Sequence, residues 1–314
     1  MSVNPIRHVA LIGFGEVGGI FGQDLVAAGV KVVVFDILLG AETSRASMLA
    51  RAKKAKVRAC DSVEEAIRDA DLVISAVTSS SAADAAKEAA ASLRSGQIYL
   101  DINSVSPETK CELARIVEPS KAIFVEAAVM APVSPQRLKV PMLLGGAKAE
   151  FVAKRLKSIG MKATHVSDEI GVASAIKMCR SIIIKGIESL AVESLFTARR
   201  YRAEKEVLAS LAATYPRMGW DGPLPDYLIS RVAEHGKRRA AEMREAAQAV
   251  LDVGLEPVTA LATAQRQDWL VREIAERQIA IEFGQTFSWK QLADAIERPS
   301  ALQAEAPTGE LKAR

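Results

Sequence analysis

Residues Val9–Gly19 read V-A-L-I-G-F-G-E-V-G-G, an apolar run that ends in a G-x-G-x-x-G loop. In such a loop Gly13 permits a tight turn, Gly15 lets the backbone approach a pyrophosphate, and Gly18 lets helix and strand pack closely. The N-terminus of the following helix is a natural anion site. The stretch therefore predicts a strand, a turn and a helix that hold the pyrophosphate of a dinucleotide.

The sequence around this loop fits the same prediction. A helical run, Glu16–Ala28, follows the loop, and a second apolar run, Val30–Phe35, closes on Asp36. An acidic residue about 20 positions after the loop suits the hydroxyls of an adenosine ribose. The alternative is a βαβ unit whose glycines serve only a turn. The residues predicted to bind the cofactor here are Gly13, Phe14, Gly15, Glu16, Val17, Gly18 and Asp36.

Composition indicates a globular protein with a sizeable core. The chain has 314 residues, enough for about two domains, with 49% hydrophobic and 25% charged residues. The net charge of +3 without a dominant basic run argues against nucleic acid as a partner. The three cysteines are scattered without a C-x-x-C pair, which predicts free thiols, a reducing compartment and no metal site.

No segment of the sequence has the pattern of a targeting or membrane-spanning element. Met1–Arg7 lacks a signal-peptide pattern, and no stretch reaches the roughly 18 apolar residues of a membrane span. We therefore expect a cytoplasmic protein without a membrane partner.

The pattern of elements changes near Asp168. Strand-like and helical runs alternate over residues 1–166, which predicts a Rossmann-like domain with a parallel, doubly wound sheet. Helical periods dominate over residues 167–298, and the polar tail 299–314 is predicted to be disordered. The helices are expected at Glu169–Tyr201, Lys205–Tyr215, Pro225–Val253, Pro257–Phe283 and Ser288–Glu297.

A sheet domain followed by an all-helical domain, together with two motifs, resembles the β-hydroxyacid dehydrogenase superfamily. The motifs are G-V-A-S-A-I-K at Gly171–Lys177 and D-I-N-S-V-S-P at Asp101–Pro107. This superfamily includes 3-hydroxyisobutyrate and 6-phosphogluconate dehydrogenases. The helical half looks closest to a branch whose C-terminal domain is of unknown function, through the segments Lys185–Glu188, Glu193–Leu195 and His235–Met243.

The resemblance implies that Lys177 is the catalytic residue, because the family's lysine in this motif faces the nicotinamide and the substrate hydroxyl. Burial in a cleft lowers the pKa of a lysine, so that it can accept a hydroxyl proton near neutrality. The alternative is a solvated helix lysine. Ser181 stands where the family has asparagine and is predicted to face the substrate from the same side of the helix. Arg180 either binds an anionic group or lies in solvent.

The motif around Asn103 is predicted to bind substrate at a strand's C-terminal edge, where open α/β sheets bind ligands. We assign Asn103 and Ser104 to the substrate and Ser106 to the cap of the next helix. The alternative is that this segment is only an ordinary helix cap. Thr78, at the end of the strand Leu72–Val77, is predicted to contact the cofactor.

The loop Glu126–Pro132 stands where the family has D-A-P-V-S-G-G, whose glycine pair offers N–H groups to the substrate carboxylate. Met130 and Pro132 break that pattern, and Pro132 has no N–H to offer. The alternative register, A-P-V-S at 131–134, matches the letters better but shifts the strand. Met130 is therefore predicted to be an apolar wall against a substrate that differs from short hydroxy acids.

His235 is predicted to be a second acid–base residue, mainly because of the branch resemblance. Neighbouring cations should lower its pKa and keep it neutral; the alternative is a surface helix laced by pairs such as Arg238–Glu242. Ile184 replaces the glutamate found in the decarboxylating relatives. Glu188 is too far along the helix from Lys177 to replace it, and is predicted to be structural.

These features predict an NAD(P)-dependent dehydrogenase acting on a hydroxy acid, including polyhydroxylated or sugar acids. Asp36 favours NAD over NADP because it repels a 2′-phosphate, whereas Arg45 and Arg51 are too distant in sequence to decide the matter. A homodimer is expected from the resemblance and the helix content. Two alternatives stay open: an imine or ketone reductase on the same scaffold, and a non-catalytic dinucleotide-binding protein.

Overall fold

The structure, a computed structural model, describes residues 5–283 and 286–297, so the predicted disordered tail 299–314 lies outside the described residues. The chain divides into two compact units, Met1–Cys179 and Arg180–Arg314. They are called unit 1 and unit 2 below.

Unit 1 contains an eight-stranded sheet in the order β3-β2-β1-β4-β5-β6-β7-β8. The strands are β1 (His8–Ile12), β2 (Lys31–Phe35), β3 (Arg58–Ala59), β4 (Leu72–Ser75), β5 (Ile98–Asp101), β6 (Ile123–Val129), β7 (Met142–Gly145) and β8 (Ala163–Ser167). The helices are α1 (Glu16–Ala27), α2 (Glu42–Ala55), α3 (Val63–Ile67), α4 (Ala82–Ala90), α5 (Pro107–Val117), α6 (Val133–Gln136) and α7 (Ala149–Ser158). A further helix, α8 (Val172–Arg200), begins in unit 1.

The sheet is buried on both faces, as the predicted doubly wound fold requires. Along β1, Val9 and Leu11 enter one apolar cluster, whereas Ala10 and Ile12 enter the other. The first cluster also takes side chains from α1, α2 and α7, and the second takes side chains from α3, α4 and α5. Because alternate residues of a strand point to opposite faces, helices cover both sides of the sheet and the Rossmann-like prediction is confirmed.

One part of the fold prediction was wrong: the sheet is not wholly parallel, because β7 runs antiparallel to β6. Residues 130–141 connect these strands and contain only the four-residue helix α6 and a short 3₁₀ turn. A parallel crossover usually requires a full helix to return the chain to the starting edge. The short connection instead reverses the strand, with Val129 opposite Met142.

Unit 2 is helical, as predicted. It contains most of α8 and the helices α9 (Glu204–Thr214), α10 (Leu224–Asp252), α11 (Val258–Glu276) and α12 (Trp289–Glu297). Its core joins buried side chains such as Val192 of α8, Val232 of α10 and Leu270 of α11. The predicted helix Pro257–Phe283 ends early, at Glu276, because the chain turns through a positive φ of 52° at Gln278.

Within the described part of the chain, no helix has both the length and the apolar character that crossing a bilayer demands. Cys60, Cys111 and Cys179 are free thiols, as the scattered spacing predicted.

Candidate functional site

The glycine loop follows β1, beside β4, where the strand order reverses direction. Gly13 has a φ of +92°, and a Cβ on it would overlap the Ala76 carbonyl oxygen. A Cβ on Gly18 would overlap the Gly13 carbonyl oxygen, whereas a Cβ on Gly15 would meet no atom within 4 Å. The predicted turn and close-packing roles are thus confirmed, and the backbone at Gly15 is open to an incoming group. This arrangement fits a dinucleotide pyrophosphate.

Asp36 connects the end of β2 to the loop. Its Oδ2 accepts a hydrogen bond from the Phe14 N–H at 2.6 Å, and its Oδ1 accepts one from the Leu38 N–H at 3.0 Å. Each carboxylate oxygen keeps a further lone pair, so the same side chain can still accept a hydrogen bond from a ribose hydroxyl. Glu16 is exposed and Val17 half-buried in the first turn of α1.

Asn103 is buried at the end of β5, and its amide holds neighbouring segments together. Its Nδ2 donates to Ser75 Oγ at 2.9 Å and to Asp101 Oδ2 at 2.6 Å, while its Oδ1 accepts from the Val77 N–H at 2.8 Å. Both amide hydrogens are therefore used within the protein. The group that Asn103 can offer a substrate is the second lone pair of Oδ1.

Thr78 follows β4, and Ser106 follows β5. Thr78 is exposed, and its Oγ1 pairs with Ser81 Oγ at 2.9 Å. Ser106 begins α5, where its Oγ accepts from the Thr109 N–H at 3.3 Å, so the predicted helix cap is confirmed.

Lys177 and Ser104, predicted separately from two motifs, are in contact. Lys177 Nζ donates a hydrogen bond to Ser104 Oγ, although 73 positions separate the two residues in sequence. Both side chains are half-buried, and the neighbouring Met178 is buried whereas Ile176 is 40% exposed. A primary amine and a hydroxyl therefore share the C-terminal edge of the sheet, where a substrate hydroxyl can exchange a proton with the amine.

Glu126, at the middle of β6, positions the helix that carries Lys177. The side chain is fully buried, and its Oε1 accepts from the N–H groups of Gly171 at 2.6 Å and Ala173 at 3.1 Å. Its Oε2 accepts from Ser174 Oγ at 2.6 Å and from the Ser174 N–H at 3.3 Å. A carboxylate at a helix N-terminus satisfies the unpaired N–H groups and opposes the helix dipole.

The sequence itself indicates that Glu126 needs buried hydrogen-bond partners, which the family motif does not reveal. A carboxylate within the apolar strand Ile123–Val129 must find partners, since an unpaired buried charge is very costly. Gly145 lies opposite Glu126 in the sheet, and a Cβ there would come within 2.5 Å of Glu126 Oε1. Glycine therefore leaves the space that the carboxylate occupies.

A buried ion pair lies beside Asn103. Lys110 of α5 and Asp101 of β5 are both completely buried and contact each other through Nζ and Oδ1. Lys110 Nζ also donates to the Asp101 carbonyl oxygen at 3.0 Å. Because Asp101 Oδ2 accepts from Asn103, this pair also fixes the orientation of the Asn103 amide.

Met130 comes directly after β6 and is half-buried. Its N–H donates to the Pro141 carbonyl oxygen at 2.9 Å, which closes the connection between β6 and β7. The side chain thus stands at the start of a short loop, and its predicted contact with substrate stays a prediction.

Ser181 and His235 belong to unit 2. Ser181 is buried, with 9% of its surface exposed. His235 Nε2 lies 3.5 Å from Glu234 Oε2 in α10. Burial, reinforced by the Arg231 guanidinium, lowers the pKa of His235, so the direction predicted from the sequence is confirmed although burial is the larger cause.

In the described part of unit 2, α8 and α10 are joined by a buried ion pair and by a partly buried one. Arg239 binds both carboxylate oxygens of Glu188, and Lys185 Nζ lies 2.5 Å from Glu242 Oε2. Burial raises the pKa of Glu188 against the opposing effect of Arg239, and burial lowers the pKa of Lys185 against the effect of Glu242. Glu188 is thus an internal partner of α10, which is the structural role predicted for it. Arg238 also pairs with Glu242, at 2.8 Å.

No metal centre accompanies these residues: across 5–283 and 286–297, no group of three or more His, Cys, Asp or Glu side chains is arranged to hold a metal ion. Two cavities, of about 370 and 560 Å³, lie at the N-terminal edge of the sheet beside Ala70 and Arg94, not at the edge that carries Lys177.

Comparison with known proteins identifies the family. Residues 8–167 match the model of the NAD binding domain of 6-phosphogluconate dehydrogenase. The chain belongs to this NAD-binding family. The family's domain covers the whole sheet of unit 1, and residues 198–270 match a separate model, the domain of unknown function DUF1932.

The chain is similar to two proteins of known structure and to a named dehydrogenase. A conserved hypothetical protein from Sinorhizobium meliloti is 32% identical, with a TM-score of 0.78 over 94% of this chain and 97% of that chain. A conserved protein of unknown function, described as structurally similar to 3-hydroxyacid dehydrogenases, is 31% identical, with a TM-score of 0.67 over 83% and 96% of the two chains. The mitochondrial 3-hydroxyisobutyrate dehydrogenase of Drosophila melanogaster is 27% identical over 65% of this chain and 62% of its own.

Proposed function

We propose that the protein is an NAD(P)-dependent dehydrogenase that oxidises the hydroxyl group of a hydroxy acid, with polyhydroxylated and sugar acids within its range. The contact between Lys177 Nζ and Ser104 Oγ carries the proposal. It joins an amine and a hydroxyl at the sheet edge that also holds the glycine loop. Membership of the NAD-binding family and the similarity to a 3-hydroxyisobutyrate dehydrogenase support the same reaction class.

In this proposal Lys177 is the general base. A bound nicotinamide dinucleotide supplies the hydride acceptor. Lys177, in its neutral form, takes the proton of the substrate hydroxyl as the carbon–hydrogen bond gives up its hydride, which leaves a carbonyl product. Ser104 holds the amine toward the reacting oxygen through the hydrogen bond described above.

The remaining predicted residues have supporting roles in the proposal. Asn103 Oδ1 accepts a hydrogen bond from a substrate hydroxyl. Met130 forms an apolar wall against the substrate, and Ser181 offers its hydroxyl group to the substrate. His235 is the second acid–base group, and its lowered pKa favours the neutral ring at pH 7. Thr78 contacts the cofactor beside the glycine loop.

The test is a screen of hydroxy acids and sugar acids with NAD and NADP, read by the absorbance of the reduced nicotinamide. We expect turnover with at least one acid. Faster turnover of ketones with amines in the reductive direction would instead favour an imine or ketone reductase. Dinucleotide binding with no turnover in either direction would favour the non-catalytic alternative.

We propose NAD as the preferred cofactor because Asp36 places a carboxylate beside the loop. In Asp36→Ala the ratio of NADP to NAD affinity should rise by about tenfold, since a like-charge repulsion is removed. The ratio is the proper readout, because loss of the hydrogen bonds to Phe14 and Leu38 affects both cofactors alike. An unchanged ratio would show that Asp36 does not recognise the adenosine ribose.

We further propose that the protein is a cytoplasmic homodimer formed through unit 2. Five apolar side chains around the turn between α10 and α11 are exposed: Leu251, Val253, Leu255, Val258 and Leu261. Such a patch favours a protein partner. Light scattering should give the mass of two chains, and the double variant Val253→Lys/Val258→Lys should shift it toward one. A single-chain mass for the unmodified protein at micromolar concentration would contradict the dimer.

A further inference from the structure

Arg51 of α2 lies against the glycine loop although 36 positions separate it from Gly15. Its Nη2 donates to the Gly15 carbonyl oxygen at 3.1 Å, and its guanidinium carbon lies 5.4 Å from the centroid of the Phe14 ring. A Cβ on Gly19 would meet the same Nη2 at 3.6 Å. The guanidinium therefore lies beside the loop and the first turn of α1.

The charges around the loop show why a cation matters there. Asp36 directs a carboxylate at the Phe14 N–H, and Glu16 adds an acidic side chain to the first turn of α1. A pyrophosphate carries about two negative charges, which both carboxylates repel. The partial positive charge of a helix N-terminus amounts to only about half an elementary charge. Arg51 brings a full positive charge to this position.

We propose that Arg51 binds the pyrophosphate of the dinucleotide, an inference that rests on the proposed cofactor binding. Arg51 contacts the Gly15 carbonyl, and the space above Gly15 is open, so the guanidinium borders the position where the backbone admits the phosphates. One Nη2 hydrogen is used by Gly15, and other N–H groups of the planar fork remain to bind phosphate oxygens. The contact also offsets the repulsion from Asp36 and Glu16.

The position of Arg51 favours the pyrophosphate over a 2′-phosphate. Its contacts are with Phe14, Gly15 and Met48, where Nη1 lies 3.6 Å from the sulfur. The ribose hydroxyls are assigned instead to Asp36, at the end of β2. Arg51 is accordingly expected to act on NAD and NADP equally.

The test measures ligand binding by calorimetry in the purified full-length protein. Arg51→Ala should weaken the binding of NADH, NADPH and ADP by about tenfold each, since a charge-assisted hydrogen bond to the pyrophosphate is lost at an exposed site. The salt dependence of NADH binding should also decrease, while adenosine binding stays unchanged. Arg51→Lys should recover part of the affinity because it restores the charge without the planar fork.

Lys54→Ala is the matched control, because it removes one positive charge from the same helix at an exposed position. Its NADH affinity should match that of the unmodified protein. Weakening of NADPH alone would overturn the proposal in favour of a 2′-phosphate contact, and equal weakening of adenosine would overturn it in favour of stacking on the base. Unchanged NADH binding in Arg51→Ala would also overturn it. If the unmodified protein binds no dinucleotide, the proposed function itself fails.

Discussion

Lys177→Ala is expected to lower kcat by about 10²- to 10⁴-fold while NADH still binds with the affinity of the unmodified protein. This is the range that a positioned general base contributes. Lys177 Nζ contacts Ser104 at the end of β5, whereas the cofactor loop follows β1, so the substitution should leave the loop intact. Steady-state kinetics on the best substrate of the screen and a direct NADH titration measure the two quantities.

Further variants separate a base from a merely positive side chain. Lys177→Arg keeps the charge but cannot give up a proton near neutrality, so it should be as slow as the alanine variant. Added primary amines should restore part of the rate of Lys177→Ala. His235→Gln should lower the rate less, because His235 is assigned a secondary role. Retention of full activity in Lys177→Ala would remove this lysine from the mechanism.

Glu126→Ala is expected to lower the free energy of unfolding by about 3 kcal/mol or more, and to lower kcat as well. The substitution leaves the N–H groups of Gly171, Ala173 and Ser174 without their acceptor, and each buried unpaired donor costs about 1–3 kcal/mol. Because these groups begin α8, the position of Lys177 near Ser104 is lost with them. Urea unfolding and steady-state kinetics measure the two effects.

The comparison for this prediction is Glu150→Ala in the same unit. Glu150 is exposed and pairs with Lys154 one turn along α7, so its loss should change stability and kcat little. Ser174→Ala is a milder change that removes only the side-chain bond to Glu126. If Glu126→Ala lowers stability but leaves kcat unchanged, Glu126 supports the fold without positioning Lys177.

Local patterns in the sequence predicted most of the elements. The apolar run before Gly13 gave β1, and Pro107 after Ser106 marked the start of α5, because turns, caps and periodicities depend on residues a few positions apart. Lys177 and Ser104 were each predicted, from separate motifs, to face the substrate, whereas their direct contact was not predicted. The direction of β7 was missed, since strand patterns do not specify a neighbour's direction.

The contacts that the sequence did not predict join distant segments. Glu126 lies 45 positions before Gly171, and Arg51 lies 36 positions after Gly15, so neither pair has a local signature. The structure brings them together because the helices of a doubly wound fold pack back against the sheet and against one another, as α2 packs against α1, so that segments far apart in sequence become neighbours. The separation of Arg51 from the loop in sequence was therefore a poor guide to its separation in space.

The completely buried pair of Asp101 and Lys110 has an evolutionary consequence. Replacing either residue alone would leave the other's charge buried without a partner, a change that costs several kcal/mol. An apolar pair of similar volume is tolerated instead. A lineage can therefore abandon this pair only by exchanging both positions together. Homologues should accordingly inherit Asp101 and Lys110 jointly or differ at both.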